Sequence, residues 1–261
     1  MENIRIAALS KKHEKPLLEF MNRDRISHFF SIYDLHYQRG KTRVWLALLA
    51  DKTIGYLLEY DRRILCVRGP KDCVAPLLRK TRLAEAILNV EARQLSAVVR
   101  FYEPVEPADK MTVGKITTFV VMKATNSSHR SVLRHEVQEL KKESAAELAG
   151  LLGVGQELAL DLLKGVAFGF CKDGRLVSYA ASPEMLDDLA IVRGVFTALD
   201  ERGKGYSKAV CSALVSRLLG EGKEVMLYVS KDNAAAFRVY KSVGFGETGH
   251  RFLGFTARRR D

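Results

Sequence analysis

The sequence predicts an α/β protein built on a layered sheet, with the same order of elements run through twice. Three observations carry this: helical and strand periodicities alternate along all 261 residues; each half opens on a strand and a helix, followed by a hairpin; and each half then continues strand, loop, helix. A short polar stretch, Ala124-Thr125-Asn126-Ser127-Ser128, separates two apolar strands and marks the expected junction.

In the first half, Ile4-Arg5-Ile6 is a short strand, and Ser10 is placed to cap a helix running to about Asn22. Val44 to Leu49 and Ile54 to Tyr60 read as a hairpin turning at Asp51-Lys52. Leu65 to Arg68 is a strand ending at Arg68-Gly69-Pro70; a helix follows from about Asp72, and the apolar run Ser96 to Tyr102 is another strand. In the second half Val132 to Leu140 reads as extended, and Ser144-Ala145-Ala146-Glu147 is a capping box for a helix ending at Gly153. Gly165 to Cys171 and Arg175 to Ala181 form a hairpin about Asp173-Gly174. Leu189 to Thr197 is a strand, Arg202 to Gly205 a loop, and Tyr206 to Leu219 a helix. Val225 to Ser230 is a strand, Asn233 to Val243 a helix, and Phe252 to Thr256 the closing strand.

Composition excludes several classes. The chain is 47% apolar and 28% charged with 6 prolines, which suits a packed core and not a disordered or collagenous chain. No apolar run approaches the roughly 18 residues of a membrane span, and Met1 to Arg5 lacks the apolar block of a secretory leader. Cys66, Cys73, Cys171 and Cys211 show no C-x-x-C spacing, which argues against zinc and for reduced thiols, hence a cytoplasmic location. The 42 basic and 31 acidic residues give a net charge of +11. Such a surface attracts polyanions. Its clusters (Lys11-Lys12, Arg62-Arg63, Arg258-Arg259-Arg260) lack interleaved aromatics, which argues against nucleic acid.

The chemistry concentrates between residues 189 and 245. A strand runs into Arg202-Gly203-Lys204-Gly205, and the loop opens a helix at Tyr206-Ser207. Glycines let backbone approach a ligand closely, and the first N–H groups of a helix suit a phosphate. Lys204 adds a charge. Two glycines are also ordinary in a tight strand-to-helix connection, and the spacing is neither G-x-x-x-x-G-K-[ST] nor G-x-G-x-x-G. Tyr206, Val210, Leu214 and Leu218 share one stripe and belong to the core, as does Cys211. Downstream, Asn233 opens a helix with small alanines at 234 to 236, Tyr240 lies two turns on, and Gly244 ends it.

Together, V-F-T-A-L-D-E-R-G-K-G-Y-S (from Val195), L-Y-V and N-A-A-A-F-R-V-Y-K-S-V-G-F (from Asn233) resemble the GNAT superfamily of acyl-CoA-dependent N-acetyltransferases, over about residues 131 to 258. The resemblance implies the acyl-CoA N-acyltransferase fold, an α/β (α+β) mixed sheet, in two tandem domains: a degenerate one at 1–124 and an acetyltransferase one at 129–261. It implies that Val195, Phe196 and Thr197 lie on a splayed strand holding a pantetheine arm, and that Arg202, Gly203, Lys204, Gly205, Tyr206 and Ser207 wrap the pyrophosphate. Ser207 stands where relatives usually have Gly or Ala. Asn233, Ala236, Phe237 and Tyr240 are the further expected coenzyme contacts, with Tyr240 as general acid. The implied co-substrate is acetyl-CoA, with no metal; the implied partner is an amine acceptor, small molecule or protein, and a homodimer is compatible with the family. Leu189 to Gly194 carries no carboxylate, so no base is assigned; Glu184, Asp187 and Asp188 read as solvated loop charges. The first half repeats the order without this chemistry, because Pro70 removes a donor where phosphate needs one. A non-catalytic acyl-CoA-binding or protein-interaction module is the alternative reading.

Overall fold

The computed structural model describes residues 3–106, 114–132 and 135–260. They form two compact units. The first takes the chain up to Phe119 and again from His250; the second is Val120–Gly249. The residues from 250 onward were expected to close the second domain, but they complete the first unit's sheet.

In the first unit the elements run β1 (Arg5–Ala8), α1 (Lys11–Asn22), α2 (Arg25–Tyr37), β2 (Thr42–Leu49), β3 (Lys52–Tyr60), β4 (Ile64–Arg68), α3 (Lys71–Leu78), β5 (Glu85–Val90), α4 (Leu95–Val98) and β6 (Tyr102–Pro104). β7 (Thr117–Ala124) leads into the second unit, which holds β8 (Gln138–Glu139), α5 (Ala145–Leu152), α6 (Gln156–Leu162), β9 (Val166–Lys172) and β10 (Arg175–Ser182). There follow β11 (Leu189–Thr197), α7 (Tyr206–Gly220), β12 (Glu224–Ser230) and α8 (Ala234–Val243); β13 (Gly246–Arg259) then begins in the second unit and continues in the first.

The first unit's strands lie in the order β1-β2-β3-β4-β5-β13, antiparallel except for β4 beside β5. Side-chain alternation puts Leu57 and Val67 into a core with Cys73, Val74 and Leu77 of α3. Tyr56 faces the opposite way, toward Phe20 and His28 of α1 and α2. The second unit repeats this plan in the order β7-β12-β11-β10-β9-β8. There Tyr179 and Ala181 pack under α5 and α6, while Ala180, Val192 and Leu227 pack under α7. Burying the helices' apolar side chains against the two sheet faces is what stabilises both units.

Local chemistry explains where the pattern reading failed. Ser96 to Tyr102 is not a strand: Glu91 and Gln94 form a reciprocal capping box that starts helical turns running into α4. The strand lies earlier, at β5, where Ala86, Leu88 and Val90 alternate inward. The first hairpin turns at Ala50-Asp51, both at positive φ, with Leu49 opposite Lys52. The second turns at Asp173-Gly174 as expected, also with positive φ at both. Neither Ser10 nor Ser144 caps through its side chain; Ser10 bonds His13 instead. Of Val132 to Leu140 only Gln138–Glu139 is strand, and residues 133 and 134 lie outside the described part.

Candidate active site

β11 and β12 pair in parallel only from Leu189–Glu224 to Val192–Leu227. Beyond Val192 no described strand pairs with that edge of β11, although β11 stays paired with β10 as far as Phe196 and Thr197, its register shifting by one residue between Arg193 and Phe196. The divergence starts at Gly194, whose φ is +76° and whose added Cβ would lie 2.4 Å from the Tyr179 hydroxyl. Only glycine fits there. The result is a strand edge with main-chain donors and acceptors facing a groove, able to pair an extended amide-bearing ligand.

The groove encloses about 520 Å³. On one wall lie Val195, Phe196 and Thr197 of β11, with Glu201, Arg202, Gly203 and Gly205 of the loop. Tyr206, Ser207 and Lys208 from the first turn of α7 continue it; Asn233, Ala235, Ala236, Arg238, Val239 and Tyr240 of α8 form the other wall. The loop reaches α7 through Gly205 at φ +90°, and no side chain caps that helix. A 15-residue helix thus ends, uncapped, on the groove, and its first amides are oriented for an anion. Gly203, at φ +80°, would meet nothing within 4 Å even with a Cβ, so its surroundings are open to a ligand.

Two expected coenzyme contacts fall outside this lining. Lys204 turns back to Glu201 (2.7 Å) and to the Asp200 carbonyl, and Phe237 packs against the core under α7. Conversely, Glu201, Lys208, Ala235, Arg238 and Val239 line the groove without having been expected; three- and four-residue spacing from Ala235 and Ala236 reaches positions 238 to 240 on one helix face. Glu201 accepts from both Lys172 (2.8 Å) and Lys204, which hold its carboxyl below the ordinary range and rivet the loop. Arg202 donates to the Thr197 carbonyl and lies over the Phe196 ring.

Asn233 caps α8 by accepting from the Ala236 N–H at 3.0 Å, which sets the helix start at the groove. Tyr240 stands edge-on to Phe245, and burial, with the Cys211 thiol second, pushes its phenol well above 10. It stays a proton donor across the neutral range. Glu184 is not a solvated loop charge: its side chain is 16% exposed, Oε1 is held by Arg193, Oε2 is buried without a partner, and burial raises its pKa. Asp187 and Asp188 are exposed.

The corresponding opening in the first unit is filled. Parallel pairing of β4 with β5 stops at Cys66–Asn89, and the Arg68 side chain, 3% exposed, spans the gap. It donates to the Asn89 carbonyl and side-chain oxygen, the Val67 carbonyl and the Ser27 carbonyl. Pro70 precedes α3, and the Cys73 thiol donates to the Pro70 carbonyl in that helix's first turn.

Residues 167–252 match the family model described as FR47-like protein. Solved structures match over nearly the whole chain. A Drosophila protein superposes with a TM-score of 0.69 at 13% identity, covering 98% of this chain and 99% of its own. A GNAT-family acetyltransferase from Colwellia psychrerythraea gives 0.60 at 12%, covering 98% and 100%. A tandem GNAT protein from the clavulanic acid biosynthesis pathway gives 0.60 at 13%, covering 98% of each. No curated protein matches by sequence. These findings and the splayed strands agree: the chain carries the fold of GNAT acetyltransferases, with an FR47-like domain over residues 167–252.

Proposed function

We propose that the protein transfers the acetyl group of acetyl-CoA directly to a primary amine, both substrates being bound together. One observation carries the proposal: the edge of β11 beyond Val192, which no described strand pairs, the Arg202–Gly205 loop and the uncapped start of α7 share one groove with Tyr240. That groove fits the coenzyme's chemistry. An extended arm bearing two amides can pair with β11 between Val195 and Thr197, and a diphosphate can take the N–H groups from Gly203 to Ser207.

A bound acetyl thioester would supply the activated acyl carbon. The chain's residues do the rest. Main-chain N–H groups of β11 orient the carbonyl and favour charge on its oxygen as the amine attacks. Tyr240 holds its proton until a thiolate leaves, then donates it; the C–N bond forms as the C–S bond breaks, and the amine's surplus proton leaves to solvent or a base. None of the cysteines takes part. Cys211, buried under α7 with its pKa pushed up to about 12, is too weakly ionised to be a nucleophile.

We further propose that the first unit is a degenerate GNAT-like domain, as the Arg68 bridge and Pro70 support. Titration calorimetry with acetyl-CoA tests the coenzyme reading; no heat at millimolar ligand overturns it. Thiol release across amines, polyamines, aminoglycosides and peptide N-termini tests the acceptor class. Binding without turnover on every amine would favour a non-catalytic acyl-CoA-binding module.

A further inference from the structure

Charge is unevenly divided between the two units. Met1–Phe119 with His250–Asp261 holds 25 basic and 15 acidic residues, a net +10, whereas Val120–Gly249 holds 17 and 16, a net +1. The fold of the first unit concentrates its surplus. Antiparallel pairing of Thr42 with Tyr60 and of Tyr60 with Ile64, and parallel pairing of Ile64 with Ile87, bring the start of β2, the β3–β4 turn and the start of β5 to one end of the sheet. Arg68 bridges the other end. The Asp61 N–H donates to the Lys41 carbonyl at 2.9 Å, and the Thr81 hydroxyl donates to the buried Glu59 at 3.0 Å. Lys41, Arg62 and the Lys80–Arg82 segment are thereby fastened side by side. Lys41, Arg62, Lys80 and Arg82 are exposed and, among the described residues, have no ion pair. The acids here are otherwise engaged: Glu59 faces Arg43, Glu85 Arg258 and Glu103 Arg260, and Asp61 stands against the four cations. Arg62 also sits at φ +53° beside Asp61 at +50°. Glycine or asparagine holds such a turn at less cost, so arginine is kept at the tip against local stability.

In sequence these clusters stand apart from aromatics, which argued against nucleic acid; folding removes that separation. The Thr42 hydroxyl donates to the Gln38 carbonyl at 2.8 Å and ties the end of α2 to the start of β2. Tyr37, 54% exposed and backed by the Tyr33 ring, thus stands at the same end as the cations. We propose that this end of the first unit binds single-stranded RNA, with phosphates on Lys41, Arg62, Lys80 and Arg82 and a base on the Tyr37 ring. Arginine suits this partner because its guanidinium both forks onto phosphate and stacks on bases. A bilayer would instead call for exposed leucine, phenylalanine or tryptophan to insert, and the first unit exposes none among its described residues. The surface is independent of the acetyl-transfer groove, which belongs to the second unit.

The test is fluorescence polarisation with a labelled single-stranded RNA of about 12 nucleotides. Four phosphate contacts predict a logarithmic salt slope of about −3, so a fourfold rise in salt should weaken wild-type binding about fiftyfold. The triple variant Lys41→Gln, Lys80→Gln, Arg82→Gln should weaken only about threefold over the same rise. Arg62→Gly should bind RNA less tightly yet unfold at a higher temperature, a split that a merely structural arginine would not give. Tyr37→Ala should cost about tenfold in affinity and leave the salt slope unchanged. Arg130→Gln, Lys142→Gln, Lys241→Gln makes the same charge change on exposed residues of the second unit and should bind as wild type does. Absence of RNA binding at low salt, or equal losses in the two triple variants, overturns the proposal. So does equal binding to phosphatidylserine vesicles or polyglutamate with no effect of Tyr37→Ala, which would make the partner a membrane or an acidic protein.

Discussion

Acid should unfold the first unit through one histidine. His28 is 8% exposed, its Nδ1 lies 2.7 Å from the Tyr56 hydroxyl, and that hydroxyl donates to Ser31. Burial, and then the Arg68 charge, push the His28 pKa from 6.5 down to about 4, with Asp24 opposing. The native state therefore holds the neutral ring, whereas the unfolded chain protonates it near 6.5. Above that value the histidine contributes its full share of stability. As pH falls from 6.5 toward 4 the unfolded state alone gains a proton and stability drains away; below about 4 both states are protonated and the loss levels off. The fall from 6.5 to about 4 corresponds to about 3 kcal/mol. The only tryptophan, Trp45, lies on β2 against the core of this same unit, so its fluorescence reports this unit's unfolding. Urea midpoints should be taken from pH 7 to pH 4 for the wild type and for His28→Gln, which keeps a polar partner for Tyr56 but cannot be protonated. Carboxylates titrate in both proteins, so the difference between the two isolates His28. The wild type should lose about 3 kcal/mol more than the variant. Parallel pH profiles for the two proteins would refute a buried neutral His28.

Four substitutions test the site and its counterpart. Tyr240→Phe should lower kcat by on the order of 10²-fold or more while leaving the calorimetric Kd for acetyl-CoA within a factor of two; an unchanged kcat removes the acid role. Gly205→Ala has room for its Cβ, the nearest atom being His135 Nε2 at 3.6 Å, so its cost is the φ of +90° alone: about 1–2 kcal/mol by thermal unfolding, with weaker coenzyme binding. Asn233→Ala removes the cap of α8 and should cost about 1 kcal/mol, with a higher Kd as the groove wall frays. Arg68→Met strips a buried donor from three carbonyls and should destabilise the first unit by about 3 kcal/mol on Trp45 fluorescence, yet leave acetyl-CoA affinity unchanged. A change in that affinity would contradict a coenzyme site confined to the second unit.

Local chemistry was legible in the sequence, and pairing was not. Asp173-Gly174 announced its turn because two residues at positive φ are what a tight hairpin demands. Asn233 and Gly244 marked both ends of α8 correctly, since a cap and a left-handed stop need only their own side chains. By contrast α2 shows no clean apolar stripe: Phe29, Phe30, Ile32 and Tyr33 spread around the helix, so periodicity does not announce it. Val98-Val99 looked like strand because β-branched residues favour one, until the Glu91–Gln94 box outweighed them. The divergence of β11 from β12 is a fact about two segments more than thirty residues apart; no periodicity records it, and only the resemblance anticipated it. The Lys204–Glu201 contact escaped for the same reason, because where a long side chain settles depends on neighbours the folded loop supplies.

One arrangement bears on how the protein is made. Leu253 through Arg258 pair with Val90 back to Glu85, so the first unit's sheet cannot be finished until the chain has been translated past residue 250. At roughly 5–20 residues per second, β5 waits on the order of ten seconds on the ribosome with its outer hydrogen-bonding row exposed. The half synthesised first is thus among the last to close, and it is the half in which a chaperone, or an aggregating neighbour, finds an open template during synthesis.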